Sequence, residues 1–354
     1  MRFGIVGLGW AASAFHLPAL KAVPGVTVVG GSDLSEAQRT SFASSTGIDV
    51  YASSAELLER ARPDAVVIAT PPVSHRDLCL EALAAGAHVI CEKPFVETVA
   101  QADEVIAAAA AAGRHVAVNH QYREKPAFRA VLDAVERGDY GRLVFTQLVQ
   151  LMDLTPWEEP VAWRRAMPNR TLFEGGVHLV DLLLALQGGP PEAVYARHSA
   201  GLDPERDADA IHLVTLEFPG GGLAQITIDR LCKAGTRYIE LRADCEEASL
   251  RASHGGRVLL QAGMKRAQRP GIRLLYGLGG LAWVEQGTRR KTLARNPRDP
   301  GIPATATLFR RIVAAFERDE EPPSSAREAR DALRVIEAAY RSAATGERIV
   351  LLDA

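Results

Sequence analysis

Cysteine is scarce in this chain, four in 354 residues, and Cys79, Cys91, Cys232 and Cys245 show no metal-ligand spacing. That argues against a zinc module or a disulfide scaffold and leaves reduced, mostly buried thiols, with no metal expected. An excess of one charge is missing too: the net charge of -2 gives no electrostatic reason to expect nucleic acid or an anionic membrane as partner. Long apolar runs are absent, because charge or glycine interrupts each one well before spanning length, so no membrane helix is expected. The N-terminus runs straight into a strand pattern without a charged leader or cleavage site, which predicts a cytoplasmic location. No internal repeat or low-complexity segment stands out. What is present is an ordinary globular composition, 47% hydrophobic and 24% charged, in a chain too long for one core. Two domains are therefore expected, 1–121 and 122–354.

The first domain opens with an apolar strand, Phe3 to Val6, followed by Gly7-Leu8-Gly9-Trp10-Ala11-Ala12 as GxGxxA. In such a loop Gly7 permits the tight turn, Gly9 lets backbone approach a pyrophosphate, and Ala12 lets helix and strand pack closely. The helix opening there offers unpaired N–H groups and the positive end of its dipole to phosphates. A second strand, Val26 to Gly31, ends at Asp33, at about the distance where a carboxylate reaches the adenosine ribose hydroxyls. Asp33 also suits a helix N-cap, and the two roles are compatible. Ala65–Ala69 is a continuous apolar run typical of a buried parallel strand. Thr70 and Pro71 follow it, and Ser74 with Asp77 resembles a capping box for the next helix. A strand at 88–91, an alanine-rich helix to Ala112, a stop at Gly113 and a strand at 116–118 complete a βαβ series ending near Gln121.

Beyond Gln121 the pattern changes. A helix from Pro126 to Arg137 precedes strand-like runs at 142–152, 210–218, 223–232 and 237–243, with Gly220-Gly221-Gly222 as a hairpin signal. Strands following one another so closely predict a C-terminal α+β domain with an open, mostly antiparallel mixed sheet, beside an α/β N-terminal Rossmann domain. Residues 263–305 are hard to read. Two late helices, near 306–317 and 325–344, precede a short strand at 348–352.

Two clusters carry chemistry. Glu92-Lys93-Pro94 follows the apolar run His88–Cys91, so Lys93 sits at a strand's carboxyl end, where doubly wound sheets bind ligands. An ammonium held there, beside a nicotinamide, can hydrogen-bond the oxygen of an alcohol or carbonyl; the plainer alternative is an exposed turn lysine. The second cluster is Glu174, His178 and Asp181, spaced i, i+4 and i+7 on an otherwise apolar helix stopped by Gly188. Buried without partners they would cost several kcal/mol, so a polar cleft or mutual pairing is expected. A core histidine satisfied by Asp181 is the structural alternative to a catalytic His178.

With these motifs in one chain, the sequence resembles the glucose–fructose oxidoreductase and inositol dehydrogenase (Gfo/Idh/MocA) family over essentially its whole length. The resemblance rests on the loop at 7–12, Asp33, Thr70-Pro71, Glu92-Lys93-Pro94 and the GxHxxD run from Gly176 to Asp181. It implies an NAD(P)-dependent dehydrogenase or reductase acting on a sugar, cyclitol or related polyol, with NAD as cofactor and NADP as second candidate. It further implies Lys93 as the active-site lysine, a cis Lys93–Pro94 bond, and His178 as the proton-transfer residue. A substrate-binding sheet that also joins subunits is implied, as a homodimer or homotetramer. Expected cofactor contacts are Gly7, Gly9, Trp10, Ala11, Ala12, Asp33, Thr70, Pro71, His75, Glu92, Lys93 and Gln121. Catalytic candidates are Lys93, His178 and Glu174; these three with Tyr122, Arg123, Trp163, Arg164 and Asp181 are the substrate candidates. Glu174 stands where the family usually has aspartate, after a bulkier approach at 169–173. Asn119–Arg123 replaces the family's frequent arginine after the last Rossmann strand. An NAD-dependent glycosidase and a non-catalytic nucleotide sensor are the alternative functions.

Overall fold

The computed structural model describes residues 1–153, 163–164, 167, 169–201, 209–233, 238–255, 259–264, 270–275 and 279–351. Arg237 and Leu352, at the ends of two expected strands, lie outside the described residues. The chain forms two compact units: Met1–Glu124 with Gly301–Glu337, and Lys125–Pro300 with Ala338–Ala354.

The first unit is built on β1 (Arg2–Val6), β2 (Thr27–Ser32), β3 (Val50–Tyr51), β4 (Ala65–Ile68), β5 (His88–Cys91) and β6 (Val116–Val118). Their order is β3-β2-β1-β4-β5-β6, and every pairing is parallel. Parallel strands flanked by helices are buried on both faces, and β4 and β5 are buried throughout. The helices are α1 (Leu17–Lys21), α2 (Glu36–Thr46), α3 (Ser54–Ala61), α4 (His75–Ala84) and α5 (Val99–Ala112), the last capped by Thr98 accepting from the Gln101 N–H. The capping box expected at Ser74 is not formed: its hydroxyl lies 2.8 Å from Thr70 Oγ1 and 2.9 Å from the Pro71 carbonyl, so it braces the preceding loop.

The domain boundary differs from the sequence expectation in one respect. The sequence pattern places everything after Gln121 in the second domain, whereas Gly301–Glu337 belongs to the first unit. There Phe309, Ile312 and Phe316 share one core with Phe3, Ile5 and Leu20. An amphipathic helix shows in sequence that it has an apolar face, but not which sheet will cover it.

The second unit contains α6 (Pro126–Glu136), β7 (Leu143–Leu151), α7 (Val177–Gln187), β8 (Ala193–Ser199), β9 (Ile211–Phe218), β10 (Gly222–Asp229), β11 (Tyr238–Cys245) and β12 (Ser249–His254). A hairpin of β13 (Leu259–Met264) and β14 (Pro270–Leu275), then β15 (Leu281–Gln286) and β16 (Arg289–Arg295), occupy much of the segment that sequence left unread. The helix α8 (Gly301–Glu317) returns to the first unit, α9 (Ala326–Thr345) follows, and β17 (Ile349–Val350) closes the sheet beside β8. The nine-stranded order is β16-β15-β12-β11-β7-β10-β9-β8-β17. It is antiparallel except where β7 runs parallel to β10, which makes it the expected mixed sheet. Side chains alternate: Thr146, Leu148 and Gln150 of β7 are buried, while Phe145, Gln147 and Val149 are half-buried on the other face. β16, rich in arginine and lysine, lacks the apolar alternation that marks a strand in sequence. Among the described residues, no helix is long and apolar enough to cross a membrane.

Candidate functional site

The glycine loop follows β1 at the carboxyl end of the parallel sheet. Gly7 has φ +89°, and a Cβ there would lie 2.9 Å from the Ala69 carbonyl, so both the turn and the close approach to β4 require glycine. At Gly9 the space a Cβ would fill is open, the geometry a backbone needs to receive a pyrophosphate. The loop leads into a π-helical turn, Ala12–His16, before α1. Asp33 takes the Leu8 N–H on Oδ2 and the Ser35 N–H on Oδ1, both at 2.8 Å. These bonds fix the carboxylate beside the glycine loop and leave it acceptor capacity for ribose hydroxyls. The N-cap of α2 is Ser35, not Asp33. Exposed apolar side chains stand after three strands, Trp10 at 69%, Leu34 at 89% and Val73 at 70%. Gln121, after β6, holds a buried amide oxygen with no hydrogen-bond partner among the described residues, an acceptor that a carboxamide N–H would satisfy. These residues fit a dinucleotide.

His75 is placed differently from expectation. It is fully buried, its Nε2 2.8 Å from the Thr70 carbonyl and its Nδ1 2.9 Å from the Pro94 carbonyl. Burial lowers its pKa, against the pull of those carbonyls. The ring ties the loop after β4 to the loop after β5, which makes it a brace of the site instead of a cofactor contact.

That second loop carries Lys93, half-buried, with a cis peptide bond to Pro94. Beneath it Glu92 is the hub of a network missed in sequence. Its Oε1 lies 2.8 Å from His16 Nε2 and accepts from Asn119 Nδ2 at 2.7 Å, and its Oε2 accepts the Lys93 N–H at 3.0 Å. Burial alone would raise the Glu92 carboxyl, but the His16 and Asn119 contacts and the Lys93 charge pull it down to about 2. It is therefore an anion at neutral pH. His16, at 0% exposure, stacks on Phe309 with centroids 5.8 Å apart. The available signal for His16 was a lone polar residue on the apolar face of the helix after the glycine loop.

In the second unit, Glu174 lies in another π-helical turn, Thr171–Gly175, and His178 and Asp181 lie in α7. The expected single α-helix is thus two segments, joined by a Gly176 N–H to Thr171 carbonyl bond of 2.8 Å. π-Turns of this kind often mark functional positions. Gly176 admits no side chain, since a Cβ would lie 2.5 Å from Ile228 Cδ1 and 2.9 Å from the Leu172 carbonyl. The motif glycine thereby sets how closely the helix sits on β10. His178 is 4% exposed and Asp181 is fully buried. Arg164 Nε lies 3.4 Å from Glu174 Oε1, and its guanidinium stands 5.1 Å from the Trp163 ring centroid, so three of the substrate candidates meet. Tyr122 and Arg123 are buried in the first unit, where Arg123 Nη1 donates to Glu328 at 2.9 Å, an internal partner for its charge.

Residues 1–120 match the oxidoreductase family with an NAD-binding Rossmann fold, and residues 128–251 match the GFO/IDH/MocA C-terminal domain. The chain is 32% identical over 229 residues to 1,5-anhydro-D-fructose reductase of Ensifer adhaerens, covering 63% of this chain and 68% of that one. It is 27% identical to D-apiose dehydrogenase of Paraburkholderia graminis, covering 98% of this chain and 88% of that one. The WlbA dehydrogenase of Bordetella pertussis, solved with NADH and UDP-GlcNAcA, has the same fold, with a TM-score of 0.79 at 24% identity over 99% of each chain. The glycine loop, the Asp33 carboxylate and both family matches lead to one assignment: the chain belongs to the Gfo/Idh/MocA family of NAD-binding oxidoreductases and is a dehydrogenase or reductase.

Proposed function

We propose that the protein transfers hydride between nicotinamide C4 and a secondary alcohol or ketone of a sugar, cyclitol or related polyol. The observation that carries this reading is the seat of Lys93. Lys93 stands at the strand end with its backbone N–H bonded to an anionic Glu92, which His16 and Asn119 fix in place and whose charge its ammonium feels. NAD, when bound, supplies the hydride acceptor or donor. In the oxidative direction His178 takes the hydroxyl proton. Lys93 hydrogen-bonds the reacting oxygen and stabilises the negative charge that develops on it. Glu174, on its π-turn beside Arg164, orients the acid–base group, and Asp181 shares the His178 face of α7. Trp163 and Arg164 offer an aromatic face and a cation to the hydroxyls of a polyol. Asp33 favours NAD over NADP, because a 2′-phosphate beside a carboxylate is repelled.

Association through the second unit's sheet belongs to the same reading. α6 and α7 pack against one face of that sheet. The other presents Tyr195, Leu213 and Leu223 at 39–48% exposure. Several of its charges are matched internally, Arg251 to Glu240 and Glu285, and Arg242 to Asp244, which lowers the cost of covering it with a second copy.

The test is turnover of 1,5-anhydro-D-fructose, D-apiose and myo-inositol with NAD or NADH. Net cofactor conversion with at least one of them is expected. A protein that binds NADH yet converts none of the three would overturn the reading, and a monomer by light scattering at micromolar concentration would overturn the association.

A further inference from the structure

The helix that carries Glu174 and His178 begins without a cap of its own: Arg170, at its N-cap, makes no side-chain capping bond. A helix start leaves its first N–H groups without partners, which inside a protein must be satisfied from elsewhere. Here a carboxylate from a distant part of the chain takes the Thr171 N–H, and a tyrosine hydroxyl bonded to that carboxylate takes the Leu172 N–H. Asp209, 2% exposed, accepts the Thr171 N–H on Oδ2 at 2.9 Å and the Thr171 hydroxyl on Oδ1 at 3.2 Å. The Tyr340 hydroxyl donates to the same Oδ2 at 2.7 Å and itself accepts the Leu172 N–H at 3.2 Å. Arg230 Nη1 donates to the Thr171 hydroxyl at 2.9 Å, and His212 Nε2 stands 3.4 Å from Oδ2. His212 in turn stacks on His198 of β8, with centroids 5.4 Å apart.

We propose that Asp209 is a positioning residue for the acid–base helix: through Thr171, Leu172 and Tyr340 it holds the π-turn that sets where Glu174 stands relative to His178. The inference rests on the proposed roles of Glu174 and His178. An ordinary N-cap side chain holds its own helix in whatever place that helix takes. A carboxylate on the β8–β9 side instead ties this helix start to the sheet, and its negative charge lies at the positive end of the helix dipole. Burial alone would raise the Asp209 carboxyl, but the bonds from His212, Tyr340 and Thr171 outweigh it and hold it below the usual carboxylate range. The Tyr340 phenol is pushed up by its own burial and by that charge, so it stays a donor. At neutral pH Asp209 is therefore an anion and Tyr340 a neutral donor to it.

Asp209→Asn keeps the shape but removes the charge and the second acceptor; Tyr340→Phe removes a single hydroxyl and serves if the first variant folds poorly. On whichever of the three test compounds the wild type converts, Asp209→Asn should lower kcat about 10- to 100-fold, since small misplacements of acting groups cost that much. The affinity for NADH should stay within about twofold, and the acid limb of the kcat profile should move. Crystal structures of wild type and variant supply a readout independent of turnover. The expected result is a relaxed Thr171–Gly175 turn and loss of the Arg164–Glu174 contact. An unmoved Glu174 in the variant structure would overturn the proposal, as would a fall in kcat matched by the loss of folded protein with an unchanged pH profile. If the wild type converts none of the compounds, the proposed function fails, while the structural comparison still decides the role of Asp209.

Discussion

Glu92 and Asp209 are carboxylates of the same kind in different units. Each sits beside a histidine with no exposure, each takes several hydrogen bonds, and each is held below its usual pKa against the cost of burial. They differ in how they reach what they support. Glu92 is adjacent in sequence to Lys93 and hydrogen-bonds its N–H, because in a parallel sheet the strand ends that form the site lie side by side. Asp209 lies 38 residues from Thr171 and meets it only through the folded second unit. In the first unit the hub is thus the sequence neighbour of the residue it supports, and in the second it reaches its turn only by tertiary contact; both hubs are themselves held by residues distant in sequence.

The sharpest way to break this comparison is to remove the groups that the two hubs serve. Lys93→Met and His178→Asn should each lower turnover by about 10²–10⁴-fold, with NADH affinity little changed. On the proposed reading both serve one transition state, so the double variant should be little worse than the worse single one. A steady-state assay beside a cofactor titration reads this, and near-normal turnover in His178→Asn would make the helix cluster structural.

A smaller effect tests the first hub directly. The Glu92 carboxyl stands at about 2 in the folded chain, against an unfolded value of about 4.3. Its linked stability, roughly 3 kcal/mol, is present above the unfolded value and is lost as the pH falls through the folded one. Glu92→Gln lacks this term, so between neutral pH and about pH 3 its Tm should fall less than that of the wild type. Matching pH dependences, measured by calorimetry, would show that the network carries no net charge linkage.

Gly176→Ala probes the second unit's packing. A methyl 2.5 Å from Ile228 Cδ1 forces helix or strand to shift, at about 1–3 kcal/mol. A lowered Tm together with a lowered kcat is expected, because the same shift moves His178; an unchanged Tm would mean that the sheet yields without strain. The smallest effect is expected for Arg123→Met. It removes a buried guanidinium from its bond to Glu328, whose side chain is 45% exposed, so a lowered Tm is expected without a loss of fold. Turnover should be unaffected, whereas a raised KM for the polyol would return Arg123 to the substrate contacts.

Much of the first unit was legible in the sequence. GxGxxA, the buried run at 65–69 and the strand before Glu92 specify a parallel sheet through local pattern, and Gly7 and Lys93 lie where that pattern puts them. His75 was misread because a histidine near a nucleotide loop looks like a contact, and only packing shows both ring nitrogens turned toward backbone carbonyls. β16 escaped because its side chains are mostly exposed and polar, leaving only strand pairing to define it.

The sequence by itself determined the fold class, the cofactor loop and the place of Lys93 at a strand end, because hydrophobic period, glycine and proline act on their near neighbours. Only the tertiary structure decided that Gly301–Glu337 completes the first core, that His16 and Asn119 hold Glu92, and that Asp209 caps a helix it does not belong to. The physical reason is common to all three. A buried polar group or apolar face must find a partner, and sequence shows the need, while the partner is chosen by whichever distant segment folding brings within reach.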